Sequence, residues 1–133
     1  MNARILFAED DTGLRTIVVD ELLEVGFEVE AVADGALAIR SLKNNVYDLV
    51  LLDNRMPHKS GIEVLEFIRS ENIHSRVIMV TGVHDHALAN QALTLGADEI
   101  ITKPFAISDL IRCINKVLAM EASGYPFKLK SSQ

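Results

Sequence analysis

The 133-residue sequence has no tryptophan, a single cysteine and few aromatic residues of any kind. A hydrophobic core of this chain must therefore consist mainly of leucine, isoleucine, valine and alanine. The cysteine, Cys113, cannot form an internal disulfide, which is consistent with a reducing cytoplasm. Because Cys113 lies in an apolar helical pattern, we interpret it as a small core residue and not as a nucleophile.

The sequence also has no apolar run of membrane-spanning length, and its N-terminus has no charged segment followed by an apolar one. A net charge of −6 argues against direct binding of nucleic acid. Hydrophobic residues make up 49% of the chain and charged residues 24%, which is typical of a globular protein of about one domain. We therefore expect a soluble, cytoplasmic domain without membrane or nucleic-acid partners.

Apolar segments of strand length alternate along the chain with segments of helical periodicity. The predicted strands are residues 4–8, 27–32, 48–52, 76–81 and 97–102. This alternation predicts a doubly wound α/β fold, in which a five-stranded parallel sheet carries helices on both faces. The second strand alternates apolar and polar residues, as edge strands do, which favours the flavodoxin-like strand order 2-1-3-4-5. We predict a domain over residues 1–121 and a C-terminal tail or linker over residues 122–133.

The most informative residue is Asp53, a carboxylate at the end of the continuous apolar segment 49–52. Such a segment is typical of a strand that is buried on both faces. In open parallel sheets, ligands bind outside the carboxyl ends of the strands, and all of these ends lie at one edge. The polar residues that we predict to meet at this edge are Glu9, Asp10, Asp53, Thr81 and Lys103.

This set of residues predicts metal binding and phosphoryl transfer to a carboxylate. Neighbouring carboxylates repel one another unless a cation lies among them, and Mg²⁺ prefers oxygen ligands of this kind. With Mg²⁺ and Lys103 nearby, Asp53 is suited to attack phosphorus and form an acyl phosphate. Lys103 and the Thr81 hydroxyl would then hold the phosphoryl oxygens. Each residue alone has an ordinary structural explanation, so the prediction depends on their joint placement.

Several segments of the chain, taken in order, form a specific set. They are Ile5-Leu6-Phe7-Ala8-Glu9-Asp10-Asp11, Asp53 with Met56-Pro57 and Gly61, Val77-Ile78-Met79-Val80-Thr81-Gly82, Gly96-Ala97-Asp98 and Lys103-Pro104-Phe105. With these segments, residues 4 to about 121 resemble the receiver domain of bacterial two-component response regulators. The resemblance implies a phosphorelay switch that accepts a phosphoryl group from a sensor histidine kinase or a histidine phosphotransfer protein. It implies a regulatory domain and not an enzyme that acts on a separate substrate.

The resemblance implies that Asp53 is the phosphoacceptor and that Mg²⁺ is the cofactor. Glu9 and Asp10 correspond to the acidic pair that binds the metal, Asp10 more directly and Glu9 through water. The backbone carbonyl of Arg55 corresponds to the group that completes the metal shell. The long cationic side chain of Arg55, two residues after the phosphoacceptor, is an additional group near the phosphoryl position.

Two further residues correspond to the groups that contact the phosphoryl oxygens. Thr81 corresponds to the hydroxyl that follows the phosphoryl group on activation, and Lys103 corresponds to the phosphate-contacting lysine. The bond from Lys103 to Pro104 is usually cis in the family. The chain departs from the family at Ile100, where a tyrosine or phenylalanine usually acts as a rotating switch.

Three alternative functions have different requirements. A receiver-like interaction module without phosphorylation is kept open by Ile100. An aspartyl-phosphate phosphotransferase of the haloacid dehalogenase type would need an acid where the chain has Arg55, and a cap domain as well. A nucleotide- or flavin-binding domain would need a glycine-rich turn where the chain has the acids 9–11.

The sequence leaves the output open. The partner of the phosphorylated form is either an output domain or a separate protein. Homodimerisation through the last two helices is a further open possibility. The pair formed by His84 and His86 is interpreted as part of an exposed loop and not as a metal site.

Overall fold

A parallel sheet of five strands forms the centre of the protein in a computed structural model, which describes residues 2–122. The strands are β1 (Arg4–Ala8), β2 (Glu28–Val32), β3 (Leu49–Asp53), β4 (Arg76–Gly82) and β5 (Glu99–Lys103). The helices are α1 (Thr12–Glu24), α2 (Gly35–Asn44), α3 (Gly61–Ser70), α4 (His86–Thr94) and α5 (Ile107–Ala122). The strand order is β2-β1-β3-β4-β5 with every pair parallel, which confirms the predicted doubly wound fold.

Each face of the sheet carries its own hydrophobic cluster, because successive side chains of a strand point to opposite faces. Val50 and Leu52 of β3 pack in a cluster with residues of α2, α3 and α4. Leu49 and Leu51 of the same strand pack with α1 and α5. Strand β3 is therefore buried on both faces, as its continuous apolar sequence predicts. Cys113 is partly buried and packs against the α1–α5 cluster, as expected for a core residue.

The strands extend slightly further into the polar residues than the apolar runs indicate. Asp53 pairs with Val80 in the ladder, and Gly82 pairs with Lys103, so all four residues belong to strands. The hydrogen-bonded ladder continues past the point where the side chains become polar. Asp53 and Lys103 are consequently held by the sheet itself and not by a loop.

The described part of the chain ends with α5 at Ala122, the first residue of the predicted tail over 122–133; the remaining residues of that tail, 123–133, lie outside the described part. The domain boundary near residue 121 stays a prediction. Within residues 2–122, no helix is long and apolar enough to cross a membrane.

The start of α3 is fastened to the end of β3, which fixes the backbone on which Asp53 lies. The carbonyl oxygen of Asn54 accepts a hydrogen bond from the Gly61 amide at 3.0 Å. The side-chain oxygen of Asn54 accepts another from the Ile62 amide at 3.1 Å. A Cβ atom added to Gly61 would lie 2.4 Å from the Asp53 carbonyl oxygen, so only glycine permits this close approach.

We therefore expect the change Gly61→Ala to lower the free energy of unfolding by about 1–3 kcal/mol, because the new methyl group forces backbone against backbone. Urea unfolding followed by circular dichroism measures this loss. The matched control is Gly13→Ala in the exposed first turn of α1, where the added Cβ would lie 3.4 Å from the nearest atom. This control should be neutral or stabilising by up to about 1 kcal/mol, as alanine is the better helix former. Equal effects of the two changes would contradict the prediction.

Candidate functional site

Two carboxylates lie in the protein interior at the carboxyl edge of the sheet. Asp53 at the end of β3 is 7% exposed, and Glu9 directly after β1 is 1% exposed. Asp10 is exposed beside them, and carboxylate oxygens of these three residues lie within 4.8 Å of one another. Among the residues described, this is the only group of three or more acids, histidines or cysteines that is close enough to share a metal ion. His84 and His86 are exposed.

Lys103 supplies a positive charge to this acidic cluster. Its Nζ atom lies 3.0 Å from Oε1 of Glu9 and 3.4 Å from Oδ2 of Asp53. The peptide bond from Lys103 to Pro104 is cis, as the family resemblance implied. A buried carboxylate without a partner is strongly destabilising, so this ammonium group is what allows both carboxylates to be buried.

The electrostatics of the cluster show that it is short of positive charge. Burial and the neighbouring charge of Glu9 raise the pKa of Asp53 from 3.8 to about 6, although Lys103 acts in the opposite direction. Burial alone would lower the pKa of Lys103, but its bonds to Glu9 and the charge of Asp53 outweigh burial and raise it. A single ammonium therefore does not neutralise the cluster, and another cation among the carboxylates would stabilise their charged form.

Glu9 is held in place by contacts besides Lys103. Its Oε2 atom accepts a hydrogen bond from the Asp11 amide at 3.1 Å. Its carbonyl oxygen accepts one from the guanidinium of Arg15 in α1 at 2.7 Å. Arg15 was not predicted from the sequence, although an arginine one helical turn past an acidic loop is a recognisable pattern. The side chain of Asp11 instead caps α1 by accepting a hydrogen bond from the Leu14 amide.

Thr81 reaches the same edge from β4 and is 4% exposed. It lines a cavity of about 440 Å³ together with Asp53 and Lys103. The structure thus brings together the residues that we predicted to meet at this edge. Ile100 does not belong to this cavity lining, and its partly buried side chain packs against the α2–α4 cluster.

Arg55 lines the cavity from the loop after β3, and its side chain contacts a residue that the sequence did not indicate. An Nη atom of Arg55 lies 3.6 Å from Oδ1 of Asp85, in the loop between β4 and α4. The other carboxylate oxygen of Asp85 accepts a hydrogen bond from the Gly82 amide at 3.3 Å. The pair joins two loops that are distant in sequence, and no periodicity or motif connects them.

The charge shortage predicts how the stability of the metal-free protein depends on Asp53. Its raised pKa means that ionised Asp53 destabilises the fold above about pH 6, and that this penalty disappears as the pH falls towards 3.8. Without divalent cations, the change Asp53→Asn should raise the free energy of unfolding by about 1–3 kcal/mol at about pH 7.5. The gain should shrink at about pH 4.5, where the native carboxyl group is protonated.

Urea unfolding in the presence of a chelator at both pH values measures this difference. The matched control is Asp20→Asn on the exposed surface of α1, which should change stability by less than about 0.5 kcal/mol at either pH. A stabilisation by Asp53→Asn that is equal at both pH values would contradict the prediction.

Comparison with known proteins gives close relatives over nearly the whole chain. The curated chemotaxis protein CheY of Bacillus subtilis (strain 168) is 35% identical over 119 residues, which cover 89% of this chain and 99% of that protein. The transcriptional regulatory protein CiaR of Streptococcus pneumoniae (strain ATCC BAA-255 / R6) is 36% identical over 115 residues, covering 86% of this chain and 51% of that protein. This chain thus spans about half the length of that regulator.

Solved structures agree with the sequence relatives. A CheY-like response regulator receiver domain protein from Methanospirillum hungatei JF-1 superimposes with a TM-score of 0.87 at 31% identity, covering 93% of this chain and 100% of that chain. The Francisella response regulator 1452 receiver domain gives a TM-score of 0.85 at 29% identity, covering 90% and 99%. The family model of the response regulator receiver domain matches residues 5–115. The chain therefore belongs to the receiver domain family of two-component response regulators.

Proposed function

We propose that the protein is a phosphorylation-dependent signalling switch whose Asp53 accepts a phosphoryl group from a histidine kinase or a histidine phosphotransfer protein. The observation that carries this proposal is a buried aspartate that lies close to two other carboxylates and a lysine ammonium, and that lines one cavity together with this lysine and a threonine hydroxyl. A pKa of about 6 leaves most of the Asp53 carboxyl groups ionised at neutral pH, as a nucleophile requires.

In the proposed transfer, a carboxylate oxygen of Asp53 attacks the phosphorus of a phosphohistidine. A new oxygen–phosphorus bond forms while the phosphorus–nitrogen bond breaks, and the imidazole leaves with the electron pair. Lys103, already 3.4 Å from Asp53, neutralises negative charge on the phosphoryl oxygens. The Thr81 hydroxyl donates a hydrogen bond to one of these oxygens from its place in the same cavity.

The donor set is suited to Mg²⁺, which takes carboxylate and carbonyl oxygens and keeps several waters. In this proposal Asp10 and Asp53 are direct ligands, Glu9 acts through water, and the carbonyl of Arg55 completes the shell. The metal, when bound, supplies positive charge beside the phosphoryl oxygens. Exposure of Asp10 and the charge shortage around Asp53 both support this assignment.

As a switch, the domain catalyses at most its own phosphorylation and dephosphorylation. The proposed place of action is the cytoplasm, where a sensor kinase or phosphotransfer protein is the donor. Its phosphorylated form acts on an output domain or on a separate protein, and homodimerisation through α4 and α5 belongs to the same proposal.

Phosphorylation is tested by incubating the protein with acetyl phosphate and Mg²⁺ and recording its intact mass. The expected result is the gain of one phosphoryl group by the unaltered protein and no gain by Asp53→Ala, because the nucleophilic oxygen is missing. The control Asp20→Ala, on the exposed surface of α1, should gain the group normally. No gain by the unaltered protein, or a gain that survives Asp53→Ala, would overturn the proposal.

Metal binding is tested separately by thermal unfolding with and without Mg²⁺. Binding to the folded state alone should stabilise the protein by about 1.4 kcal/mol at ten times the dissociation constant, and thus raise the Tm by a few degrees. The change Asp10→Asn should reduce this shift because it removes a charged ligand, whereas Asp20→Asn should leave it intact. A Tm that is insensitive to Mg²⁺ would count against the metal site.

A further inference from the structure

The ion pair between Arg55 and Asp85 is the feature of the cavity that the proposed chemistry does not use. Both residues line the cavity that contains Asp53, and their charged atoms lie 3.6 Å apart. Arg55 belongs to the loop after β3, and Asp85 belongs to the loop before α4. The pair therefore connects the backbone near the phosphoacceptor with the segment that leads into α4.

The position of Asp85 at the start of α4 means that its contact with Arg55 affects how this helix is capped. It is the N-cap residue of α4, yet its side chain makes no capping hydrogen bond. At the starts of α1, α2 and α3 the N-cap side chain does accept a hydrogen bond from a backbone amide of the helix; these N-cap residues are Asp11, Asp34 and Ser60. The carboxylate of Asp85 is instead engaged by the Gly82 amide and the Arg55 guanidinium.

The Arg55–Asp85 ion pair is weak enough for the guanidinium to leave Asp85 for a stronger anionic partner. The side chain of Arg55 is 83% exposed, and exposed ion pairs contribute little because water and salt screen them. A phosphoryl group on Asp53 brings nearly two negative charges and three strong acceptor oxygens into the same cavity. A guanidinium group binds such oxygens through two parallel hydrogen bonds, which are stronger than its contact with a single carboxylate oxygen.

We propose that Arg55 is an additional phosphoryl-binding residue that Asp85 holds away from Asp53 until phosphorylation. The phosphoryl group then takes the guanidinium, and Asp85 is released from the loop after β3. Its carboxylate becomes free to interact with the amides at the start of α4. This inference rests on the proposed function of Asp53, and it gives the switch a polar connection from the phosphoacceptor to α4.

The exchange is tested by NMR on the full chain, with and without acetyl phosphate and Mg²⁺. The readouts are the ¹³C shift of the Asp85 carboxyl group and the hydrogen exchange of the Arg55 Nε–H group. In the unmodified protein, Asp85→Asn should speed this exchange about twofold to fivefold, the effect expected for loss of an exposed ion pair. Phosphorylation should slow the exchange severalfold, because the guanidinium gains two charge-assisted bonds.

The decisive comparison uses Arg55→Gln. This variant lacks the guanidinium, so its Asp85 carboxylate is already released before phosphorylation. The ¹³C shift of the Asp85 carboxyl group in the phosphorylated, unaltered protein should therefore approach the shift measured in unphosphorylated Arg55→Gln. Phosphorylation of Arg55→Gln should change the Asp85 shift little. The matched control is the exposed pair of Arg112 and Asp109 on α5, with atoms 2.7 Å apart. The Asp109 carboxyl shift should not respond to phosphorylation.

Intact mass recorded on the same samples separates the two proposals. No gain of a phosphoryl group would overturn the proposed function and the exchange with it. Complete phosphorylation with an unchanged Asp85 shift would overturn the proposed exchange of Arg55 but leave the proposed function intact. If phosphorylation changes the Asp85 shift as much in Arg55→Gln as in the unaltered protein, the proposed exchange is also overturned, because the response then does not depend on the guanidinium.

Discussion

Two buried carboxylates that share one ammonium are the constraint on which the arrangement of this domain depends. Glu9 directly follows β1 and Asp53 ends the neighbouring strand β3, whereas Lys103 comes from β5 at the far side of β4. Strands are about 4.8 Å apart, so the lysine side chain must extend across a whole strand to reach both acids.

The same constraint explains why Asp53, Thr81 and Lys103 are positioned by strands and not by flexible loops. Charged groups that are nearly removed from water are tolerated only when their partners are held at short distance. β3 is buried on both faces, and α3 is fastened to its end through Asn54 and Gly61. The hydrophobic clusters thus stabilise a polar edge that is itself short of positive charge. That shortage would favour the binding of a cation, and a bound cation would in turn favour the ionised, nucleophilic form of Asp53.

The features that were predictable from the sequence are those that follow from its hydrophobic patterns. The fold was predictable because segments of strand length, most of them apolar and the second one alternating, are separated by segments of helical periodicity, and because the ends of parallel strands share one edge. That geometry alone implied the proximity of Asp53, Thr81 and Lys103. The last ladder pairs were not predictable, since whether Gly82 belongs to β4 depends on its partner in β5. The Arg55–Asp85 pair was not predictable either, because it joins two loops whose relative position only the complete fold determines.

Ile100 restricts how a change at Asp53 can reach the surface. An aromatic side chain with a polar end can lie inside or outside at similar cost, but isoleucine is apolar throughout and stiff at its first torsion. Moving a fully buried side chain of this kind into water costs about 1.5–3 kcal/mol, of which the partly buried Ile100 would lose a part, whereas separating an exposed ion pair costs about 0–1 kcal/mol. Ile100 packs against the α2–α4 cluster, so its displacement is the more expensive of the two movements. The Arg55–Asp85 pair, exposed and next to the start of α4, is therefore the contact in this cavity that the proposed phosphoryl group would rearrange at the lower cost.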